Sequence, residues 1–401
     1  MRRSPLAVVY LTVFIDLLGF SIILPLLPFY AEHYGATGVW VGALLTAYSA
    51  VQFVSAPMLG RISDRAGRRP VLLASLAGSA ASLALSGVAH SLWLLLAARA
   101  LAGLFGGSIS TGQAYVADVT RPDDRAKYMG LLGACIGLGF VFGPAIGAGL
   151  SPLGFGAAAF FAAGLALLNL CFAWFRLPES HPANKRGGHR GAVRRDLLGA
   201  LRRPALGRYL GATFLTNFAF VGLEATFALF SQKQWGLGAA GFGLVFTYIG
   251  VIVVVVQGGL IGPLRRRYRE RTLAAVGATL LAAMLFLLAI TPNLTLGILV
   301  LTGLGLGQGL VSPTLSTLIS RAAGAHEQGG ALGLGQSFAA AARGVGPLVA
   351  GGLYDLTRSL PYLLGSVLAL GAALLLSQAA FSPRAGDTPT PISVQVDAER
   401  G

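Results

Sequence analysis

Two carboxylates stand where a carboxylate is expensive. Asp16 and Glu224 lie deep inside runs of apolar residues, whereas the other acidic side chains fall in or near the breaks between such runs. An ionised group away from water is costly unless paired, so its protonation depends on what else occupies its surroundings. The chemistry this suits is proton carriage or the holding of a cation. Glu224 shares one helical face with Asn217, Phe220 and Phe227, at spacings of seven, four and three residues. An acid between aromatic rings can serve either a proton or a lipophilic cation. Phe214, Phe218, Phe242 and Phe246 could enlarge that aromatic surface. Arg99 and Arg343 also fall within apolar runs and supply the competing reading, a static ion pair. At about 1.5 Å of rise per residue, Glu224 and Arg343 meet more easily than Asp16 and Arg99. For Asp16, coupling and structural pairing stand equally open. His33, His90, His181, His189 and His326 all sit in breaks or at helix ends, which leaves the carboxylates as the membrane-depth proton carriers.

The apolar runs define what holds these groups. Of 401 residues, 55% are hydrophobic and 11% charged, and apolar stretches long enough to cross a bilayer recur along the whole chain. The reading is an all-α integral membrane protein with twelve transmembrane helices, near 6–30, 38–59, 71–89, 92–118, 128–150, 153–175, 206–232, 240–262, 272–290, 294–320, 329–353 and 360–381. The first run is too long for a signal-peptide core and is expected to remain as a span. A charged break divides the chain into an N-terminal six-helix bundle (1–175), a cytoplasmic linker (176–205), a C-terminal six-helix bundle (206–381) and a flexible cytoplasmic tail (382–401). The bundles look pseudo-symmetric: a shift of 202 residues lays Gly60, Arg65 and Arg69 on Gly262, Arg267 and Arg271, and a shift of 203 lays Gly143-Pro144 on Gly346-Pro347. Parallel repeats of this kind put a binding site between the halves, near the bilayer midplane.

Charge orients the chain. Of the 30 Lys and Arg, 26 fall at the termini and in the loops after even-numbered helices. The positive-inside bias then places those loops and both termini in the cytoplasm, in the cytoplasmic (inner) membrane. The net charge of +15 is spread over many short loops, so lipid headgroups, not nucleic acid, are the acidic partner. Cys135 and Cys171 lie in apolar helices and make neither a disulfide framework nor a metal site. None of the three lysines follows a glycine, so a phosphate-binding loop is absent; no cofactor and no enzymatic activity are expected. Helices 6, 9 and 12 are almost wholly apolar and helix 3 nearly so, while the others carry polar side chains able to line a cavity. Arg99, Gln113, Asn217, Phe220, Phe227, Tyr248, Gln308, Gln336 and Arg343 are the candidate cavity residues.

Between the second and third helices stands "GRISDRAGRRPVLL" (60–73), with four arginines and a single aspartate. It resembles the loop signature of the major facilitator superfamily, here carried by Gly60, Asp64, Arg65, Gly67, Arg68 and Arg69. "LGFSIILPLLP" resembles the Pro-x-x-Pro close of helix 1 in drug-efflux members, "RALAGLFGG" the helix-4 signature, and "RLPES" the close of helix 6. "GLGFVFGPAIGAG" resembles the helix-5 antiporter motif, with Gly139, Gly143, Pro144 and Gly147, departing from it at Ala148. The resemblance implies a loop that latches one access state and a monomeric secondary transporter of the drug:proton antiporter branch. Such a protein exports a small lipophilic or cationic organic compound by alternating access, with Glu224 and Asp16 coupling to protons. A lipid or sugar-conjugate exporter, an uncoupled facilitator and a non-transporting membrane sensor are the alternatives.

Overall fold

The computed structural model describes residues 5–121, 124–180, 204–323 and 328–378, and every regular element among them is helical. In the first half, α1 (Pro5–Ile23) and α2 (Leu27–His33) make the first span, followed by α3 (Gly38–Ala66) and α4 (Arg68–Gly87). The fourth span is split into α5 (Leu92–Leu104) and α6 (Ser108–Val119), and α7 (Arg125–Leu150) and α8 (Phe155–Arg176) complete the half. The second half holds α9 (Pro204–Trp235), then α10 (Ala239–Val255), which runs through a π turn at Val256–Leu260 into α11 (Ile261–Arg267). It ends with α12 (Glu270–Ile290), α13 (Leu294–Ala322), α14 (Gln328–Leu356) and α15 (Leu360–Gln378). Eleven of these twelve units are long and apolar enough to cross a membrane. The remaining one, α14, has a full 29 residues but opens with "QGGALGLGQS", whose glycines and glutamines lower its hydropathy. Most of the expected linker and all of the expected tail lie outside the described residues.

Helix limits fall within a few residues of the apolar runs except where the chain bends. Pro25 and Pro28 withhold two amide donors, and the first span turns between α1 and α2. Span four breaks at Gly106-Gly107, exposing backbone at membrane depth that a side chain then satisfies: Gln52 Nε2 donates to the Gly106 carbonyl at 2.8 Å. Gly67 alone separates α3 from α4, at φ 110°, a backbone angle that glycine adopts without strain. Ser91 and Asn293 cap α5 and α13, accepting from Leu94 N at 3.3 Å and Leu296 N at 3.0 Å. Packing joins α1 to α7 and α4 to α8 in one half, and α12 to α13 and α15 in the other. Between halves, α3 meets α14 and α7 meets α10.

Candidate functional site

A cavity of about 550 Å³ lies between the halves. Spans one, two, four, five, seven, eight, ten and eleven contribute to its wall, and spans three, six, nine and twelve do not, as the distribution of polar residues suggested. Leu17, Phe20, Phe140, Phe220, Phe242 and Phe246 make it largely apolar, with Tyr48, Gln52, Asn217, Gln308 and Ser312 set among them. That size and mixture suit a drug-sized organic molecule.

Four charged side chains surround the cavity, one carboxyl and one guanidinium from each half. Arg99, Glu224 and Arg343 line it directly. Asp16 stands behind the wall in a recess of about 30 Å³ shared with Arg99, Ser79 and Ser108. It is buried, and its Oδ2 accepts from Ser108 Oγ at 2.5 Å. Among the described residues, neither Glu224 nor Asp16 has a cation within ion-pair distance. The static pairs weighed from the sequence are therefore not formed in this state. Arg99 lies over the Phe20 ring, 5.7 Å from its centroid, and Phe20 leans on Tyr48 at 4.8 Å.

Other candidates fall elsewhere. Phe227 shares a helix with Glu224 but is fully buried, 5.7 Å from both Phe242 and Trp235, in the seal above the cavity. Gln113 is exposed on α6, away from the cavity. Tyr248 is also off the cavity wall, exposed and hydrogen bonded to Thr302 at 2.8 Å. Gln336 lines a separate polar side pocket of about 130 Å³, which shares Asn217, Gln308 and Arg343 with the main cavity. Tyr48 and Gln52, polar residues of the second span, belong to the wall, and so does Phe20, which nothing in the sequence sets apart from the other phenylalanines.

The two ends of the cavity differ. At the end away from the termini, Asp355 of α14 accepts from Gly38 N at 2.6 Å and Val39 N at 2.9 Å, capping α3 across the halves. Lys233 reaches Glu32 at 3.9 Å and lies over the Tyr354 ring, and Phe29 of the first span meets Phe242 of the eighth at 5.7 Å. A methyl group at Gly42 would overlap the Pro347 carbonyl, and one at Gly243 would crowd the Pro144 carbonyl and Ala148. In the same region Gly139, Gly143 and Gly147 admit α1 against α7, with Leu17, Ser21 and Ile22 where side chains would be. At the end that carries the termini, a methyl added at Gly60, Gly130, Gly258, Gly262 or Gly333 would meet nothing within 4 Å. Among the described residues, the hydrogen bonds, the ion pair and the ring contact that join the halves all lie at the far end, which shuts the cavity there.

Among the described residues, the charged loop's hydrogen bonds are with its own half. Arg68 Nη1 donates to Asp64 at 2.6 Å and to Ser63 at 3.1 Å, while Nε donates to Asp118 at 2.9 Å. Glu179 accepts from the backbone N of Arg68 and Arg69, at 2.8 and 3.2 Å, and Arg69 also donates to the Trp174 carbonyl at 2.6 Å. Arg65 is exposed.

A sequence profile described as the Major Facilitator Superfamily matches residues 9–347. The chain belongs to that superfamily. Among curated relatives of this major facilitator, the class C tetracycline resistance protein of Escherichia coli is 31% identical, over 95% of this chain and 98% of the relative. Multidrug resistance protein 1 of Bacillus subtilis is 28% identical, over 94% and 96%. Among solved structures, the human organic anion transporter MFSD10 superposes with a TM-score of 0.69 at 29% identity, over 92% of this chain and 98% of that one. The chain is thus a multi-pass membrane transporter, not an enzyme.

Proposed function

We propose that this major facilitator is a proton-coupled efflux antiporter for small organic compounds with a lipophilic body. It works as a monomer in the cytoplasmic membrane, with both termini in the cytoplasm. The observation that carries this reading is Glu224, a carboxylate on the wall of an apolar, drug-sized cavity with no ion-pair partner among the described residues. A proton and the cationic or polar end of a substrate compete for such a group, and competition for one site, alternately exposed to each side, is exchange. Asp16, held by Ser108, is the second coupling carboxylate. The names of the tetracycline and multidrug resistance relatives support export, and the name of the human organic anion transporter supports an organic cargo that carries charge.

The test is accumulation of a permanently charged fluorescent xanthene dye in inverted vesicles whose lumen is acidified. The wild-type chain should accumulate it against its gradient. Glu224→Gln should reduce this to the level of vesicles without protein. Undiminished accumulation by Glu224→Gln would remove Glu224 from the coupling path, and no accumulation by either would favour a facilitator or a sensor.

A further inference from the structure

Among the described residues, Arg99 is a buried cation with one edge of its guanidinium unpaired. It is 1% exposed, and its Nε and Nη2 are both buried without a hydrogen-bond partner. These two nitrogens form one edge of the guanidinium, whose parallel N–H bonds match the two oxygens of a carboxylate. Burying such an edge empty is costly, so a group that accepts from it in another state of the cycle is expected. Asp16 is not that group in this state, since no ion pair joins it to Arg99 among the described residues. The recess in front of Arg99, about 30 Å³, is lined by Tyr48 and Gln52 and adjoins the main cavity through Phe20.

We infer that Arg99 receives an anionic oxygen group, a carboxylate or enolate, of the transported compound. This inference rests on the reading of the cavity as the transport site and adds a substrate class to it: amphoteric compounds, with an acidic group at Arg99 and a cationic end toward Glu224 on the opposite half. The separation of the four charged groups between two walls fits such a molecule better than a simple cation, which would face Arg99 and Arg343 together.

The experiment compares a cationic xanthene dye bearing a free carboxyl group with its methyl ester, which keeps the same rings and loses the anion. Binding of each to the purified full-length chain in detergent is followed by fluorescence polarisation. The acid should bind about tenfold more tightly than the ester, the scale of a paired charged hydrogen bond. Arg99→Gln should abolish the preference for the acid, bringing the ratio of the two affinities to about one, and Arg99→Lys, which keeps the charge but not the fork, should retain part of it. Equal affinity for the two dyes in the wild-type chain, failure of the acid to bind, or equal weakening of both dyes by Arg99→Gln at unchanged melting temperature would each overturn the inference. Should Arg99→Gln fail to fold, Arg99→Lys carries the same comparison. Failure of the antiport reading shows differently, as dye selectivity retained without pH-driven accumulation.

Discussion

Arg68 ties three separate parts of the N-terminal half together. Its guanidinium joins Asp64 to Asp118, and its backbone N–H meets Glu179. The side chain is only 10% exposed, so its removal takes away two charged hydrogen bonds, one of them to Asp118, itself 22% exposed. Arg68→Ala should therefore lower stability by roughly 2–3 kcal/mol, read as a fall in melting temperature in detergent. Arg68→Lys should recover less than half of that, because an ammonium cannot reproduce the fork that reaches both carboxylates. The sequence revealed the charge of this loop but not where it would go, since Asp118 and Glu179 are 50 and 111 residues away from Arg68 along the chain. The same limit misplaced Tyr248 and Gln113. A polar residue in an apolar run must find a partner, and only packing decides whether that partner faces the cavity or the flank.

Helices were the most legible level. Apolar runs bounded by glycine, proline and charge fixed nearly every span, because each one must satisfy its backbone internally across the membrane. The breaks at Leu24–Leu26 and Gly106-Gly107 were not read, although proline and glycine mark both, because their geometry depends on what the freed backbone groups meet. At this scale the contacts of Gly42 and Gly243 yield a firm expectation. A leucine at either position has no room against Pro347 or Pro144 and should force the far end apart. With Ser49→Cys as a reporter on the cavity wall, Gly42→Leu should increase labelling by a membrane-impermeant maleimide added from the far side. Unchanged labelling would mean that α3 tilts as a unit without opening the cavity.

For the whole molecule, the repeats at shifts of 202 and 203 residues already indicated two related halves with a site between them. Which end would be open was not written there, since both access states use the same residues and differ only in which contacts are made. The described state is held shut by the Asp355 cap on α3, the Phe29–Phe242 contact and the Glu32–Lys233 pair. An acid capping a helix N-terminus is worth about 1 kcal/mol, which changes a two-state ratio roughly fivefold. Asp355→Asn should accordingly shift the population toward the state that is closed at the terminal end. Spin labels at positions 60 and 262, which lie on the unpacked terminal ends of the two halves, should then show more of a shorter distance. A distribution identical to that of the parent protein would assign closure to the aromatic and glycine contacts instead.

Those glycine contacts also say something about the rhythm of transport. Where Gly42 meets Pro347 and Gly243 meets Pro144, one main chain lies against another with no side chain able to swing aside or adopt a half-open rotamer. Such a seam is either sealed or parted. Cargoes of different size should thus change how often the far door opens, leaving the width of each opening the same.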